Sequence, residues 1–407
     1  MGDLKLAWRN IWRHTRRSIL TMMAIGFASL LLVFMLSFQF GSYEGMIDAS
    51  VRLSTGHLQV QAQGYHDKPE MRKVVKNPRK VMDALSRTPG VEACTARCQT
   101  FVLASSEDRT RGVMIMGVDP ETESRVLKTS SLIRQGEYLS SDDPNTVIIG
   151  ALLAERLKIG LGEELTILGQ ARDGSIAATV MTVRGIFKSG IDEVDRSTVQ
   201  MLLTDFDQLF GMDGAVHAVV AVVHKLTEVG EIKNTVMQDD ALKGLAVLDW
   251  MELSPGLKQS IQMDLVSGII MYVILIIVVA FSIMNTFLMA VFERTREFGV
   301  MMAIGVKPLR LVKIILMESM FMTGLGLLFG MILGALLTQY FAGAGISMGG
   351  AADLMAQYGI SGRMYPRLSL ITLFSGPILI GVVTFFTALL PALRIPRLKP
   401  ANAMKAV

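Results

Sequence analysis

Four stretches of this 407-residue chain run for the length of a bilayer crossing with almost no charge, which leaves few folds open to it. Ile19–Phe40 is 22 residues without a charge, Leu265–Phe292 is 28 and Leu368–Leu393 is 26. The fourth run, from about Val312 to Phe341, holds Lys313 at its start and one carboxylate, Glu318. At a helical rise of about 1.5 Å per residue, even the shortest run reaches about 33 Å, enough to cross the hydrocarbon core. The expected spans are 19–42, 264–292, 312–341 and 368–393, one helix followed after a long interval by three.

The first run is a retained span rather than a signal peptide. A signal peptide's apolar region would be about 7–15 residues long, and no A-x-A-like site follows closely. Before it, residues 1–18 form an amphipathic helix with Leu4, Trp8, Ile11 and Trp12 near one face and Lys5, Arg9, Arg13, Arg16 and Arg17 mostly elsewhere. Indoles at headgroup depth and cations beside anionic lipid suit a membrane surface. Lys and Arg number five in that segment, five in the 293–313 connector and four in the 394–407 tail, but two in the 342–367 loop (Arg363 and Arg367). Basic flanks stay cytoplasmic, so both termini and the connector are expected inside, and residues 43–263 and 342–367 outside. The pI near 9.0 then reflects membrane orientation rather than nucleic-acid binding.

Residues 43–263 have a different character. No apolar run there reaches spanning length, and short β-rich runs recur at 57–61, 111–118, 146–150, 165–169, 178–187, 198–203 and 217–223. Gly169–Gly174 (GQARDG) reads as a hairpin loop between two of them. Helical patterns fall at Arg79–Thr88, Ala151–Leu157, Thr204–Phe210 and Leu226–Met237. This is an α+β domain large enough to bury its own core. The overall composition, 51% apolar and 19% charged with a mean hydropathy of +0.44, fits several membrane helices plus one soluble domain.

Catalytic chemistry is sparse. No G-x-x-x-x-G-K-[ST] occurs in these residues, and the five histidines show no metal-ligand spacing, so neither a nucleotide loop nor a metal or cofactor site is expected. Gly345–Gly349 (GISMG) matches the nucleophile-elbow pattern around Ser347. The match lies in a Gly/Ala-rich loop without a downstream histidine, and chance explains it better than catalysis. Cys94 and Cys98 would stand about 13 Å apart on a strand, beyond disulfide reach, and C-Q-T-F-V-L after them looks extended. Two free thiols are expected. Glu318 is either a functional intramembrane carboxylate or a residue near the cytoplasmic surface reaching Lys313 on its own helix or the headgroups, and the second reading is favoured because Lys313 is close on the same helix. Gly326, Gly330 and Gly334 recur every fourth residue, permitting close approach of another helix, in this chain or in a second copy.

Several stretches resemble the FtsX-like permeases, membrane subunits of ABC systems that include MacB and the lipoprotein-releasing LolC and LolE. The connector E-R-T-R-E-F-G-V-M-M-A-I-G (293–305) is similar to the family's connector, and L-L-P-A-L-R-I-P-R-L-K-P-A-N-A-M (389–404) to its C-terminal end. A-W-R-N-I-W-R-H-T-R-R-S-I-L-T (7–21) resembles its first helix. G-H-L-Q-V (56–60) and V-I-I-G-A-L-L-A-E-R-L-K-I-G-L-G-E-E-L-T (147–166) resemble the MacB-type external domain.

The resemblance implies four transmembrane helices in a 1+3 arrangement, with a large extracytoplasmic α+β domain of MacB periplasmic type. The chain would sit in a bacterial inner membrane and work as a dimer with a second copy or a related permease. Each permease would engage a cytoplasmic ABC ATPase subunit that binds the ATP. The coupling segment 293–311 would seat on that ATPase through Glu293, Arg294, Arg296, Glu297 and Gly305. Because this sequence starts at the amphipathic helix, the match is to LolC/LolE-like or stand-alone MacB-like permeases, with ATP hydrolysis on a separate chain. The implied function is extraction or export of lipoprotein, lipid or another amphiphile at the outer leaflet, with a periplasmic carrier or adaptor as a further partner. The alternatives are an FtsX-like transducer that activates a periplasmic enzyme, and MacB-like efflux of small molecules or peptides with an outer-membrane channel.

Overall fold

The computed structural model describes residues 2–13, 15–53, 55–107, 109–126, 129–347, 349 and 363–397. Most of the 342–367 loop, Met348 of the GISMG match and most of the 394–407 tail lie outside these residues. The chain opens with α1 (Gly2–Arg13) and α2 (Thr15–Leu53). Then follow β1 (Leu58–Ala62), α3 (Pro78–Arg87), β2 (Val91–Ser106), β3 (Arg109–Val118), α4 (Pro120–Val126), β4 (Ile133–Gly136), β5 (Thr146–Gly150) and α5 (Ala151–Leu157). Next come β6 (Glu164–Gln170), β7 (Ile176–Phe187), α6 (Asp192–Ser197), β8 (Thr198–Leu202), α7 (Leu203–Phe210), β9 (Ala218–Val223), α8 (Val229–Val236) and β10 (Leu245–Asp249). The order closes with α9 (Trp250–Leu253), α10 (Pro255–Glu293), α11 (Thr295–Ala303), α12 (Pro308–Ala344) and α13 (Leu370–Ala392). Two compact units result, one of residues 1–43, 260–346 and 363–407, the other of residues 44–259 and 347–362.

The first unit is helical. Helices α2, α10, α12 and α13 are each long and apolar enough to cross a membrane. Large apolar side chains such as Ile270, Val278, Phe329, Ile371 and Phe386 stand exposed along them, an arrangement stable only in hydrocarbon. Inside, Ile25, Ala28 and Leu32 of α2 meet Ile283 and Phe287 of α10, Met322 of α12, and Ile380 and Ala388 of α13. The α2–α12 contact is closer than side chains alone would permit. A Cβ added at Gly330 would lie 2.2 Å from the Gly26 carbonyl oxygen, one at Gly326 2.8 Å from that of Met22, and one at Gly334 3.0 Å from the Val33 side chain. The glycine stripe therefore faces a helix of its own chain. Near the start of α10, Asp264 accepts hydrogen bonds from Tyr43 Oη (2.5 Å) and Gln39 Nε2 (3.2 Å), while Tyr272 Oη donates to Gln39 Oε1 (2.6 Å). This polar cluster holds α10 to α2 where Gly268 leaves room for the Gln39 side chain.

The second unit is built on β2, whose 16 residues join two parts of one ten-stranded sheet. Its first part pairs with β9 in an antiparallel array ordered β10-β1-β9-β2. Helix α3 covers this array with Val81, Ala84 and Leu85, and it starts at Pro78, where a missing N–H costs nothing. The second part pairs with β3 and, at Leu103–Ser105, with β6. Because β3 pairs with β8, β8 with β5, β5 with β7 and β7 with β6, strands β2-β3-β8-β5-β7-β6 close into a ring. Period-2 alternation fills it: Val102, Val113, Ile115, Val147, Ile149, Leu165, Ile167, Met181 and Val199 are all buried. Closure leaves β4, paired only with β7, as the edge strand at this end of the sheet. The expected hairpin at GQARDG joins β6 to β7, and the expected strand at 146–150 and helix at 151–157 occur as β5 and α5. Strands β4 and β10 and helices α4, α6 and α9 were not foreseen, being short, and of the long strand β2 only residues 98–103 were expected to be extended.

Cys94 and Cys98 are both on β2, buried and unpaired with each other. Burial raises both thiols, Cys98 to about 12, which keeps them protonated and unreactive. His217 is also buried. Its ring stacks on Tyr65 at 5.2 Å, and its Nδ1 accepts the Gln99 backbone N–H at 3.1 Å. Burial lowers the imidazole from an ordinary 6.5 to about 4. The unfolded chain takes up this proton near 6.5 and the native chain only near 4, so stability is lost as pH falls through that window, by about 3 kcal/mol. The melting temperature of the full-length protein in detergent should therefore fall between those pH values, and His217→Gln should flatten the fall. An unchanged slope in that variant would place the acid sensitivity elsewhere.

Candidate functional site

The connector folds as a capped lever with two unlike faces. α10 ends at Glu293, and α11 runs from Thr295 to Ala303. It stops because Gly305, at φ +98°, takes the left-handed conformation that a side chain would strain. Val306 N–H returns to the Met301 carbonyl at 3.0 Å and Gly305 N–H to that of Met302 at 3.1 Å, a Schellman cap. Pro308 then starts α12. The inward face of this turn is apolar. Phe298, Leu311, Val312 and Ile315 are buried with Val291, Ala392 and Ile395, and Met301, Met302 and Val306 pack against them.

Four of the five residues expected to meet an ATPase are committed within the chain. Arg294 is buried, and its Nη1 donates to Glu318 at 2.9 Å. Its Nε stands 3.4 Å from Glu297, and its guanidinium lies 5.4 Å from the centre of the Phe298 ring. Glu293 pairs with Arg17 of α2 at 2.6 Å, and Glu297 with Arg13 of α1 at 3.3 Å. Gly305 shapes the turn through its backbone. Arg296 is exposed, as is Glu293, whose side chain is 45% open beside its pair with Arg17. Glu318 corrects the reading that gave it Lys313 or the headgroups. It is buried and held by Arg294, because the segment after α10 folds back across α12 and brings a guanidinium to it. At the far side of the turn, Arg310 Nη2 donates to Asp3 at 2.8 Å, and this bond holds the Asp3 carboxyl below its usual range.

The outward face is apolar rather than charged. Val300, Ile304 and Leu309 are 47%, 76% and 73% exposed, flanked by exposed Arg296 and Lys307. Residues 296, 300 and 304 follow at helical i, i+4 spacing, so a count of faces along α11 would have found this stripe; counting charges did not. The arrangement offers a greasy knob with two cations at its rim, braced from behind by ion pairs. Such a surface can seat in a partner's groove. Among the described residues no group of three or more His, Cys, Asp or Glu is placed to hold a metal ion.

Comparison with known proteins agrees with this layout. Residues 18–236 match the MacB-like periplasmic core domain, and residues 269–400 match the FtsX-like permease C-terminal region. The lipoprotein-releasing system transmembrane protein LolC of Neisseria meningitidis is 23% identical over 254 residues, 61% of this chain and 61% of that one. LolC of Xylella fastidiosa is 24% identical over 346 residues, covering 79% of this chain and 80% of its own. The macrolide export ATP-binding/permease protein MacB of Nitrobacter winogradskyi is 26% identical over 265 residues, 63% of this chain but 38% of its own. The Neisseria match thus spans less than two thirds of that relative. With a MacB-like core domain and an FtsX-like C-terminal region set among four membrane-length helices, the chain belongs to the FtsX-like, MacB-type permeases and is an ABC transporter permease of the LolC and MacB type.

Proposed function

We propose that this permease sits in a bacterial inner membrane with both termini and α11 in the cytoplasm and the β-rich unit in the periplasm. A separate ABC ATPase seats on the knob formed by Val300, Ile304 and Leu309, with Arg296 and Lys307 meeting acidic groups at the rim. ATP is bound and hydrolysed by that partner, and its closure moves the membrane helices of a permease dimer. The observation that carries this reading is the exposed apolar face on a short helix that is capped, braced and followed at once by a membrane helix. Bare apolar side chains on a water-facing turn call for a partner.

Burying an Ile or a Leu is worth about 1.5–3 kcal/mol, so Ile304→Asp with Leu309→Asp should weaken ATPase association by at least tenfold. Glu293→Gln and Glu297→Gln should change it little, since these carboxylates face Arg17 and Arg13 and their pairs are partly exposed. Co-purification of the ATPase with each variant reads this directly. Undiminished association in the double Asp variant would overturn the docking site.

The cargo we propose is a lipid-modified protein or similar amphiphile taken from the outer leaflet. The LolC relatives, transmembrane proteins of lipoprotein-releasing systems, align over more of their own length than the MacB relative. Proteoliposomes holding permease and ATPase should hydrolyse ATP faster when a lipoprotein is present and release it from the bilayer. Stimulation by a macrolide alone would favour the efflux alternative and sink the lipoprotein reading.

A further inference from the structure

The pair Arg294–Glu318 invites the question of why two charges are buried beside apolar membrane helices. Stability is a poor answer. Removing two ions from water costs several kcal/mol each, and apolar residues of similar volume often hold a core equally well or better. What the pair supplies is direction, because a charge-assisted hydrogen bond at 2.9 Å tolerates little sliding where greasy side chains tolerate a good deal.

The position of Glu318 says what that direction serves. On α12 the buried residues Glu318, Met322, Gly326, Gly330 and Gly334 recur every fourth residue and form one ridge. At one end of this ridge Glu318 holds Arg294, the residue that opens α11. Further along, Gly326, Gly330 and Gly334 lie against α2 at backbone distance. A push on Val300 and Ile304 therefore has a continuous stiff path: α11, Arg294, Glu318, the ridge of α12, and α2, itself an unbroken helix to Leu53.

We propose that Glu318 is a positioning residue which, through Arg294, locks the register of α11 on α12 so that motion at the docking knob is delivered to α2 instead of being absorbed at the turn. This rests on the docking reading above and adds the element that makes docking effective. The surface pair Arg13–Glu297 is too exposed to set the register by itself.

The test uses the full-length permease with its ATPase in liposomes. The readouts are ATPase co-purification and the change in amide hydrogen exchange over residues 58–249 when ATP and vanadate are added. Glu318→Gln leaves the buried Arg294 with only the half-exposed Glu297 at 3.4 Å as counter-charge and could fail to fold, so the decisive variant is the apolar double replacement Arg294→Met with Glu318→Met. Its packing is kept and its direction is lost. The expected result is native ATPase association with at least a fivefold smaller nucleotide-dependent exchange change. The swap Arg294→Glu with Glu318→Arg should recover most of that change, which a purely structural role would not require. Native exchange changes in the double Met variant would overturn the proposal. The docking reading fails by a different sign, an Ile304→Asp/Leu309→Asp variant that still retains the ATPase.

Discussion

Gly330→Leu should separate α2 from α12 and cost the helical unit about 3 kcal/mol or more. The first side-chain carbon would fall 2.2 Å from the Gly26 carbonyl oxygen and 2.6 Å from the Ser29 Cβ. Both obstacles are backbone or close to it, so no rotamer change relieves them, and overpacking of this kind costs about 1–3 kcal/mol even where flexible side chains can yield. Gly330→Ala should also destabilise, although alanine is about 1 kcal/mol better than glycine inside a helix. Gly324 supplies the control. It lies on the same helix with nothing within 4 Å of where its Cβ would be, so Gly324→Ala should be neutral or stabilising by up to about 1 kcal/mol. Thermal unfolding of the three variants in one detergent reads the difference. If Gly330→Ala and Gly324→Ala shift the midpoint alike, the close α2–α12 contact is not a support of the fold.

Breaking the ion pair Arg97–Glu123 should be as damaging to the β-rich unit. Arg97 projects from β2, where that strand also pairs with β9, and Glu123 comes from α4; they are 3% and 0% exposed. Arg97 Nε lies 3.0 and 3.1 Å from the two carboxylate oxygens, and Nη2 donates to the same group. Glu123→Ala strands a buried guanidinium, and removing one partner of such a pair costs about 3–5 kcal/mol. In a domain of this size that is a fall in melting temperature of roughly 10 °C. The paired replacement Arg97→Met with Glu123→Leu removes both charges and should recover most of the loss. A double variant as unstable as Glu123→Ala alone would show that the pair contributes packing that no apolar residue replaces.

The residues that sequence reading placed well and those it placed badly differ in how far away their partners lie. Strands β5 to β7, the hairpin at Gly169–Gly174 and helix α5 depend on patterns a few residues long, with turn residues at their ends. The free state of Cys94 and Cys98 followed from strand spacing once C-Q-T-F-V-L was read as extended rather than helical. The connector stands out in the sequence by its charges, yet the partner each charge takes was not legible. Arg17 and Glu293 are 276 residues apart, and Arg294 and Glu318 are 24 apart across a turn. Nothing local tells Glu318 to choose Arg294 over the nearby Lys313. The choice depends on the α11 turn folding inward, and that in turn depends on Phe298 finding Leu311 and Ile315.

Residue type and spacing were therefore sufficient for four membrane helices, a β-rich domain between the first two and a charged connector between the second and third, because hydrophobicity and periodicity act between near neighbours along the chain. Folding alone assigned the glycine stripe to α2 rather than to another molecule, closed six strands of the second unit into a ring, and paired the connector carboxylates Glu293 and Glu297 with Arg17 and Arg13 while leaving Val300, Ile304 and Leu309 exposed. Those outcomes rest on close approach between segments far apart in sequence, where backbone distance and the cost of a buried charge select one partner among many.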